Sequence, residues 1–324
     1  MSLINISNKF QRTYFLQIQG NDGNTYSIGS ENGLSQYLSL EFSIRRDILA
    51  SANTGSFRIR NINSSVRGQI YQDWYNIPNQ KQMILKAGYI GTPLSTIFKG
   101  LINSATSYRE EGGTDVITEI EGHDYSMSMA LSTSNLSLSS SPTQQQVIAA
   151  LVADLQSNSI KLNQPLGIGL ISSYPGTHYG RYNNIGNTWQ LLQTETQRTC
   201  YIDSGLIYCI PNNITFPGTV TIISSDTGLL GTPRLYHSYL LCEMLFEPGI
   251  IPGQSVFLDT SSLSQFSSFF NGTYKVTSVS HYGTISPTVG GKCKTLVTLQ
   301  LTVNQLQESL QISIPTGVLP DGTA

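Results

Sequence analysis

The chain has 324 residues, a formal net charge of -2 and only 12% charged residues, against about 25% in average soluble proteins. Its hydrophobic fraction of 39% excludes a disordered composition, and its length allows two or three domains. The lack of a basic surplus argues against sequence-specific binding of DNA or RNA, which needs many phosphate contacts. A surface so poor in charge favours burial against other subunits, although a secreted β-protein would have a similar composition.

Residues 1–128 are predicted to be all β. Apolar and polar residues alternate there with a period of two, which is typical of strands with one buried face. The clearest run places Leu38, Leu40, Phe42 and Ile44 on one side of a strand. Further strands are predicted at 14–19, 56–62, 83–89 and 97–102, followed by a long polar hairpin with its tip at Glu110–Gly113.

Residues 129–225 are predicted to form a small α/β domain. Ser132–Ser141 has the composition of a linker, and Pro165–Gly186 that of a loop rich in Gly, Tyr and Pro. Thr143 and Gln146 have the spacing of a capping box at the start of a helix with one apolar face. A second helix is predicted after Asn187, and a hairpin with Ser204-Gly205 at its turn follows.

Residues 226–304 are predicted to be β again, and 305–324 to form a polar C-terminal arm. Proline at 248 and 252 excludes a central strand there and predicts a turn. The same pattern occurs after residue 98 and after residue 272. In both places a strand that contains glycine is followed by a polar loop and then by a strand rich in Val and Thr. This is a weak internal repeat, and any two β-hairpins could share as much.

Several motifs of the last part resemble the baseplate hub proteins of contractile-tailed bacteriophages. They are Leu245-x-x-Pro-x-Ile-x-x-Gly-x-x-Val-x-Leu258 and Asn271-Gly-x-Tyr-x-Val-x-x-Val-x-His-x-Gly283, which resemble the second tube-like domain of those hubs. Motifs similar to the first tube-like domain follow one another in the first part: Phe42/Ile44/Arg46, Ile59–Ile62, Arg67–Ile70, Leu85–Tyr89 and Ile97–Ile102. The two middle helices and the hairpin resemble the small domain between them.

The resemblance implies a β-dominated α+β fold, with two tube-like β-barrel domains flanking a small α/β domain. It implies a homotrimer that adapts a hexameric tail tube, or a tube initiator, to a trimeric central spike among other baseplate proteins. DNA would pass through its channel only as non-specific cargo. The expected location is the virion, in the phage tail baseplate, after synthesis in the host cytoplasm.

Two other functions stay open. One is a distal-tail or tube-initiating protein of a non-contractile phage, or part of a phage-like injection machine. The other is a β-rich cell-wall-active enzyme, which would need two carboxylates in one cleft. A spike encoded beside this chain would favour the hub, and cell-wall hydrolysis by the pure protein would favour the enzyme.

Five residues are candidates for a subunit interface. Aromatic residues are enriched at interfaces, which singles out Trp74, Tyr75 and Tyr89. Arg45 and Arg46 are expected to pair with carboxylates across subunits. The alternatives are an ordinary barrel core for the aromatic residues and a solvated strand edge for the arginines.

No catalytic, cofactor-binding or metal-binding residues are expected, and the chain is predicted not to be an enzyme. His123 and Asp124 are neighbours on an extended chain and point to opposite faces, so they form no dyad. His281 is expected to make a structural hydrogen bond. His178 and His237 lack a second ligand at metal spacing, and no nucleotide-binding or hydrolase motif occurs.

The four cysteines, at 200, 209, 242 and 293, have no CxxC spacing. They could form two disulfides, but a chain of this length does not need such staples, and buried free thiols are the expectation. The sequence has no signal-peptide pattern and no run of eighteen apolar residues. Synthesis in a reducing cytoplasm and no stable membrane insertion are therefore expected.

Overall fold

The computed structural model describes residues 9, 11–30, 38–49, 52–73, 80–217, 220–262, 270–287 and 291–300. Strands dominate this described part. The elements of its first third are β1 (Arg12–Gln19), β2 (Thr25–Gly29), β3 (Leu40–Asp47), β4 (Thr54–Arg60), α1 (Ser64–Ile70), β5 (Gln82–Tyr89), β6 (Ser95–Arg109), β7 (Val116–His123) and α2 (Ser126–Leu131).

The remaining elements follow in two groups. The middle group consists of β8 (Thr133–Ser140), α3 (Gln144–Lys161), β9 (Gly167–Ile171), β10 (Arg181–Asn187), α4 (Thr188–Glu195), β11 (Cys200–Asp203) and β12 (Leu206–Cys209). The last group consists of β13 (Thr221–Ile223), β14 (Leu229–Tyr236), β15 (Tyr239–Leu245), β16 (Ser255–Leu258), β17 (Gly272–Ile285) and β18 (Cys293–Gln300).

One large sheet joins the first and last groups. Its main path runs β14-β15-β18-β17-β3-β4-β7-β6-β5-β1-β2, and β13 and β16 are attached beside β17. The pairing of β17 with β3 is antiparallel and joins the two groups, with His281 opposite Ile44. The predicted β-dominated fold is confirmed, and the chain places both of its β-rich parts in a single sheet.

Two stretches of four strands in this sheet have the same order. β3-β4-β7-β6 recurs as β14-β15-β18-β17, with a hairpin at each end of each stretch and antiparallel pairing throughout. The register of β6 against β7 shifts between Ile102 and Ser104, and that of β17 against β18 shifts between Val276 and Ser278. The two β-bulges therefore occupy the same place in the two stretches.

Aligning the bulges shows that the repeat extends to single residues. Tyr108 of β6 then corresponds to Tyr282 of β17, and Thr118 of β7 corresponds to Thr295 of β18. The same cross-strand hydrogen bond recurs: Ser107 Oγ lies 3.0 Å from Thr118 Oγ1, and His281 Nδ1 lies 3.0 Å from Thr295 Oγ1. The hairpins whose sequences indicated a weak repeat are thus equivalent in structure.

Three apolar clusters form the core. The first lies in the N-terminal β part but includes Phe246, Ile285 and Cys293 from the last group. The second packs α3 and α4 against the middle strands, and the third lies within the last group. The clusters follow the predicted order of parts along the chain, while the domain boundaries at 128, 225 and 304 stay predictions.

The middle group confirms two helix starts and corrects two loops. Thr143 and Gln146 make both hydrogen bonds of the predicted capping box, and Asn187 caps α4 through the N–H of Gln190. The predicted linker at 132–141 is instead β8, which pairs with β10 from the predicted loop. Leu136 and Leu138 explain the difference, because they alternate with polar residues and pack on the second cluster.

The expectation of four free cysteines is wrong for one pair. Cys200 and Cys209 lie opposite each other in the β11–β12 hairpin, with Cα atoms 4.1 Å apart, and form a disulfide. The hairpin turns at Ser204 and Gly205, as predicted, and both have positive φ, which sets this register. Cys242 and Cys293 are free and buried.

Candidate assembly surface

The outer face of β3, β4 and β7, in the first repeat, is polar and carries charges of both signs. On β3 and β4 every second side chain points away from the core. Glu41, Ser43, Ser56 and Arg58 are therefore exposed. Arg58 lies opposite Glu41 on one side and Glu119 on the other, and its Nε donates to Glu119 Oε1 at 2.9 Å. A surface of this kind offers no continuous positive strip to a nucleic acid.

A polar groove of about 420 Å³ lies at one end of this face. Its lining includes Glu41, Arg58, Arg60, Asp115 and Thr284, so it spans strands of both repeats. Arg60 Nη1 is 3.6 Å from Asp115 Oδ2. Among the described residues no group of three His, Cys, Asp or Glu side chains is placed to hold a metal ion.

A buried polar cluster joins β3 to the middle group. The guanidinium of Arg46 donates to both carboxylate oxygens of Asp203, on β11. Asn53 Nδ2 donates to Asp203 Oδ1 at 3.0 Å and lies 3.4 Å from Asp124 Oδ2. Asp124 Oδ1 accepts from the N–H of Gly205 at 3.2 Å, so the cluster holds the β11–β12 hairpin against the large sheet.

The electrostatics of this cluster keep one carboxyl neutral. Burial, followed by the charge of Asp203, raises the pKa of Asp124 to about 8. Desolvation alone would lower the pKa of Arg46, but the Asp203 carboxylate more than offsets it and raises that pKa above its ordinary value. Burial in this cluster therefore favours the protonated form of Asp124, while Arg46 and Asp203 form an ion pair.

A second joint ties the first group to the segment after β15. The hydroxyl of Tyr89 donates to the carbonyl oxygen of Phe246 at 2.6 Å, and both residues are buried. The rings of Phe246 and His281 also pack nearly perpendicular to each other, with centroids 5.7 Å apart. Burial, followed by the charge of Arg46, lowers the pKa of His281 to about 3, so this histidine is neutral and its role is the predicted structural hydrogen bond.

The five predicted interface residues fall into three groups. Trp74 and Tyr75 lie outside the described residues. Tyr89 and Arg46 are buried within the chain and bind segments of the same chain, so the partner found for Arg46 is the intrachain Asp203. The side chain of Arg45 is 66% exposed, with Nε 3.5 Å from Asp47 Oδ2. A role of any of these residues between subunits stays a prediction.

Two of the other histidines, His123 and His178, have structural partners. His123 Nε2 is 2.9 Å from Asn103 Oδ1, while Asp124 faces the buried cluster, so the two form no dyad. His178 Nε2 is 3.0 Å from Glu195 Oε2, a contact between a loop and α4 that the sequence did not indicate. The sequence also missed Asp203, since its partner Arg46 is far away along the chain.

Within the described part of the chain, two edges of the repeated strands have no neighbouring strand. On β6, β5 pairs only over Ser95–Leu101 and Gln72 bridges Ala105, so Thr106–Arg109 have no described neighbour on that side, and their side chains are exposed. The outer side of β14 has no neighbouring strand among the described residues. Open edges of this kind are templates for pairing with another chain. No helix in the described part of the chain is long and apolar enough to span a membrane.

Comparison with known proteins identifies the fold. No protein-family model and no curated protein matches the chain. The tail protein from Neisseria meningitidis aligns over 89% of this chain and 96% of its own, with a TM-score of 0.53 and 10% sequence identity. The 43 kDa tail protein of prophage MuSo2 from Shewanella oneidensis aligns over 88% of this chain and 96% of its own, with a TM-score of 0.51 and 9% identity.

A third solved structure extends the likeness beyond phages. It is an E. coli component of the type VI secretion system, described as structurally similar to tail proteins of bacteriophage T4. It aligns over 84% of this chain and 76% of its own, with a TM-score of 0.50 and 10% identity. The chain therefore has the β-rich fold of phage tail proteins. The β-dominated fold expected from the hub resemblance is confirmed, and the arrangement of two β-barrels around a small α/β domain stays a prediction.

Proposed function

We propose that the protein is the structural hub of a phage baseplate and works as a homotrimer in the virion. Each chain supplies two tube-like β units, and the small middle domain supports them from outside. Three chains arranged in a ring then supply six similar units. This ring matches a hexameric tail tube, or its initiator, on one side and a trimeric central spike on the other, with other baseplate proteins around it.

The observation that carries this proposal is the repeated order of four strands within one sheet. A ring with three-fold symmetry can contact a six-fold partner evenly only if each subunit presents the same shape twice. The matching bulges, and the equivalence of Tyr108 with Tyr282, support such a duplication. The interfaces of an obligate trimer are expected to bury on the order of 2,000 Å² or more each.

The outer face of the repeated strands is proposed to line the channel. In the first repeat its charges have both signs and lie in cross-strand pairs such as Arg58 and Glu119, so DNA would pass as cargo without binding tightly. In this account the protein performs no chemistry, and its function is to match symmetries and transmit force between tube and spike.

A second candidate is the equivalent part of a phage-like injection machine. The fold similarity to a type VI secretion component favours it. The assembly would be the same, and only the tube and spike partners would differ.

Electron microscopy of the purified chain tests the proposal. Class averages are expected to contain rings with an open centre, three-fold symmetry and six similar lobes. Compact particles without a central opening, or rings whose lobes do not number six, would overturn it.

A further inference from the structure

The small sheet of the middle group ends in an apolar edge strand. Its order is β11-β12-β9, so that β9 has a neighbouring strand on one side only among the described residues. The side chain of Ile168, on β9, is 53% exposed. Its partner on β12, Ile207, is fully buried in the second cluster. Ile168 therefore lies on the buried face of the sheet, at the point where the cover of that face ends.

The main chain of β9 presents hydrogen-bonding groups to this open side. The N–H groups of Gly167 and Ser172 both donate to carbonyl oxygens of the β11–β12 hairpin. Because the N–H groups of successive strand residues point to opposite sides of the strand, those of Ile168 and Ile171 point away from β12. A strand edge of this kind can accept an added strand through main-chain hydrogen bonds.

Helix α3 extends the apolar character of this edge. Gln156 Nε2 donates to the carbonyl oxygen of Leu166, directly before β9, at 3.0 Å. Ile160 lies one turn further along the same side of α3 and is 68% exposed. An apolar strand added beside β9 would cover both Ile160 and Ile168.

The C-terminal arm contains a segment with the sequence pattern of such a strand. It reads Leu310-Gln-Ile-Ser-Ile314, carries no charge and is followed by Pro315. Its apolar and polar residues alternate with the two-residue period of a strand that has one apolar face. The proline ends the run, because it cannot donate to a ladder.

The arm leaves the large sheet close to the C-terminal end of β9. Gln300 lies opposite Lys275, whose Nζ donates to the carbonyl oxygen of Pro211 at 2.9 Å. β12 ends two residues before Pro211, opposite the last residue of β9. The path from Gln300 to β9 thus consists of two strand spacings, one lysine side chain and two residues. Residues 301–309 span about 30 Å when extended, which exceeds this path.

We propose that residues 310–314 add a fourth strand to the small sheet, antiparallel to β9 of the same chain. The direction follows from the path, because the arm reaches β9 at its C-terminal end and runs back toward Gly167. The apolar residues of the segment then lie on the face of Ile168 and extend the second cluster. The inference goes beyond the proposed function, since it concerns a single chain and does not depend on the number of copies.

Hydrogen exchange, measured by mass spectrometry on the peptide that contains β9, tests this pairing. The wild-type chain is compared with a variant that ends at Asn304, in which exchange of β9 is expected to be about tenfold or more faster. A second variant, Ile312→Asp, keeps the arm but places a charge on its apolar face and should have the same effect. Val318→Asp, beyond Pro315, is the matched control and should exchange like the wild type.

The exchange of α3, in the same group, is the internal reference and should stay unchanged in every variant. Loss of protection in α3 as large as in β9 would overturn the specific pairing. Fast exchange of β9 in the wild type, or equal exchange of β9 in all four proteins, would overturn it as well. Protection of β9 that rises with protein concentration would show the arm of another copy and overturn the assignment to the same chain.

The outcomes also separate this inference from the proposed function. A trimer by light scattering whose β9 exchanges fast overturns the added strand and leaves the hub. A monomer whose β9 is protected only when the arm is present supports the added strand and overturns the trimeric hub.

Discussion

Arg46 and Asp203 form a two-pronged ion pair in the interior of the chain. The Nε and Nη2 atoms of Arg46 donate to the two oxygens of Asp203 at 2.8 and 2.5 Å, and each side chain is less than 10% exposed. The two residues belong to different groups of strands, β3 in the large sheet and β11 in the middle group. The ion pair therefore fixes the middle group of strands to the large sheet.

Removing one partner of this pair should destabilise the fold strongly. Arg46→Ala would leave Asp203 buried beside Asp124 without a counter-charge, a change that costs about 3–5 kcal/mol in comparable buried pairs. The free energy of unfolding from denaturant titration, at equal protein concentration, measures the loss. Arg45→Ala, at the exposed neighbouring position, is the matched control and should change the free energy little.

A double variant separates the loss of attraction from the burial of an unpaired charge. Arg46→Met with Asp203→Leu removes both charges and keeps most of the volume, so it should recover much of the stability lost in Arg46→Ala. A double variant as unstable as Arg46→Ala would show that the ion pair itself, rather than the unpaired carboxylate, determines the loss.

The protonated Asp124 predicts a pH dependence with a definite sign. Its pKa is about 8 in the folded chain and about 3.9 in an unfolded one, so the folded state binds more protons between these values. Its contribution to stability is complete below about pH 4 and is lost as pH rises through about 8. The free energy of unfolding of Asp124→Asn, relative to wild type, should therefore rise with pH across this window. A difference that stays constant from pH 5 to pH 8 would contradict the raised pKa.

The Tyr89 hydroxyl should stabilise the joint between the two β-rich parts. Tyr89→Phe removes its hydrogen bond to the Phe246 carbonyl and leaves that buried oxygen without this donor, at a cost of about 1–3 kcal/mol. Thermal or denaturant unfolding measures the change. Tyr108→Phe, which removes a hydroxyl from an exposed tyrosine, should leave the stability of one chain nearly unchanged.

Thiol counting checks the disulfide of the middle group. Denatured but unreduced protein should expose two reactive thiols, from Cys242 and Cys293, and reduction should raise the count to four. Cys200→Ser with Cys209→Ser should lower the free energy of unfolding by about 2–3 kcal/mol, the value expected for a short closed loop. Four thiols before reduction would contradict the disulfide.

Local features of the fold could be predicted from the sequence. The alternation of Leu40, Phe42 and Ile44 identified β3, and Thr143 with Gln146 identified the start of α3, because strand period and helix capping depend on neighbouring residues. The β8 strand was mistaken for a linker, since its Ser and Asn residues mask the alternation of Leu136 and Leu138. In such a strand the tertiary packing outweighs local propensity.

The relations between distant segments could not be predicted. The pairing of His281 with Ile44 and the contact of Arg46 with Asp203 depend on which strands become neighbours, and no short sequence window contains that information. The disulfide has the same origin, because Cys200 and Cys209 meet only through the register of their hairpin. Arg46 binds Asp203, and Tyr89 binds the carbonyl of Phe246. Each of these partners lies in a segment that the sequence assigned to a different domain.

The native mass of the purified protein tests the central claim most directly. One chain has a mass of 35.5 kDa. Light scattering across a dilution series is expected to give a stable species of three times that mass, because three chains with two similar β units each supply the six units that the proposed hub requires. A chain that remains a monomer at all concentrations, or a stable species with another number of subunits, would contradict the trimeric hub.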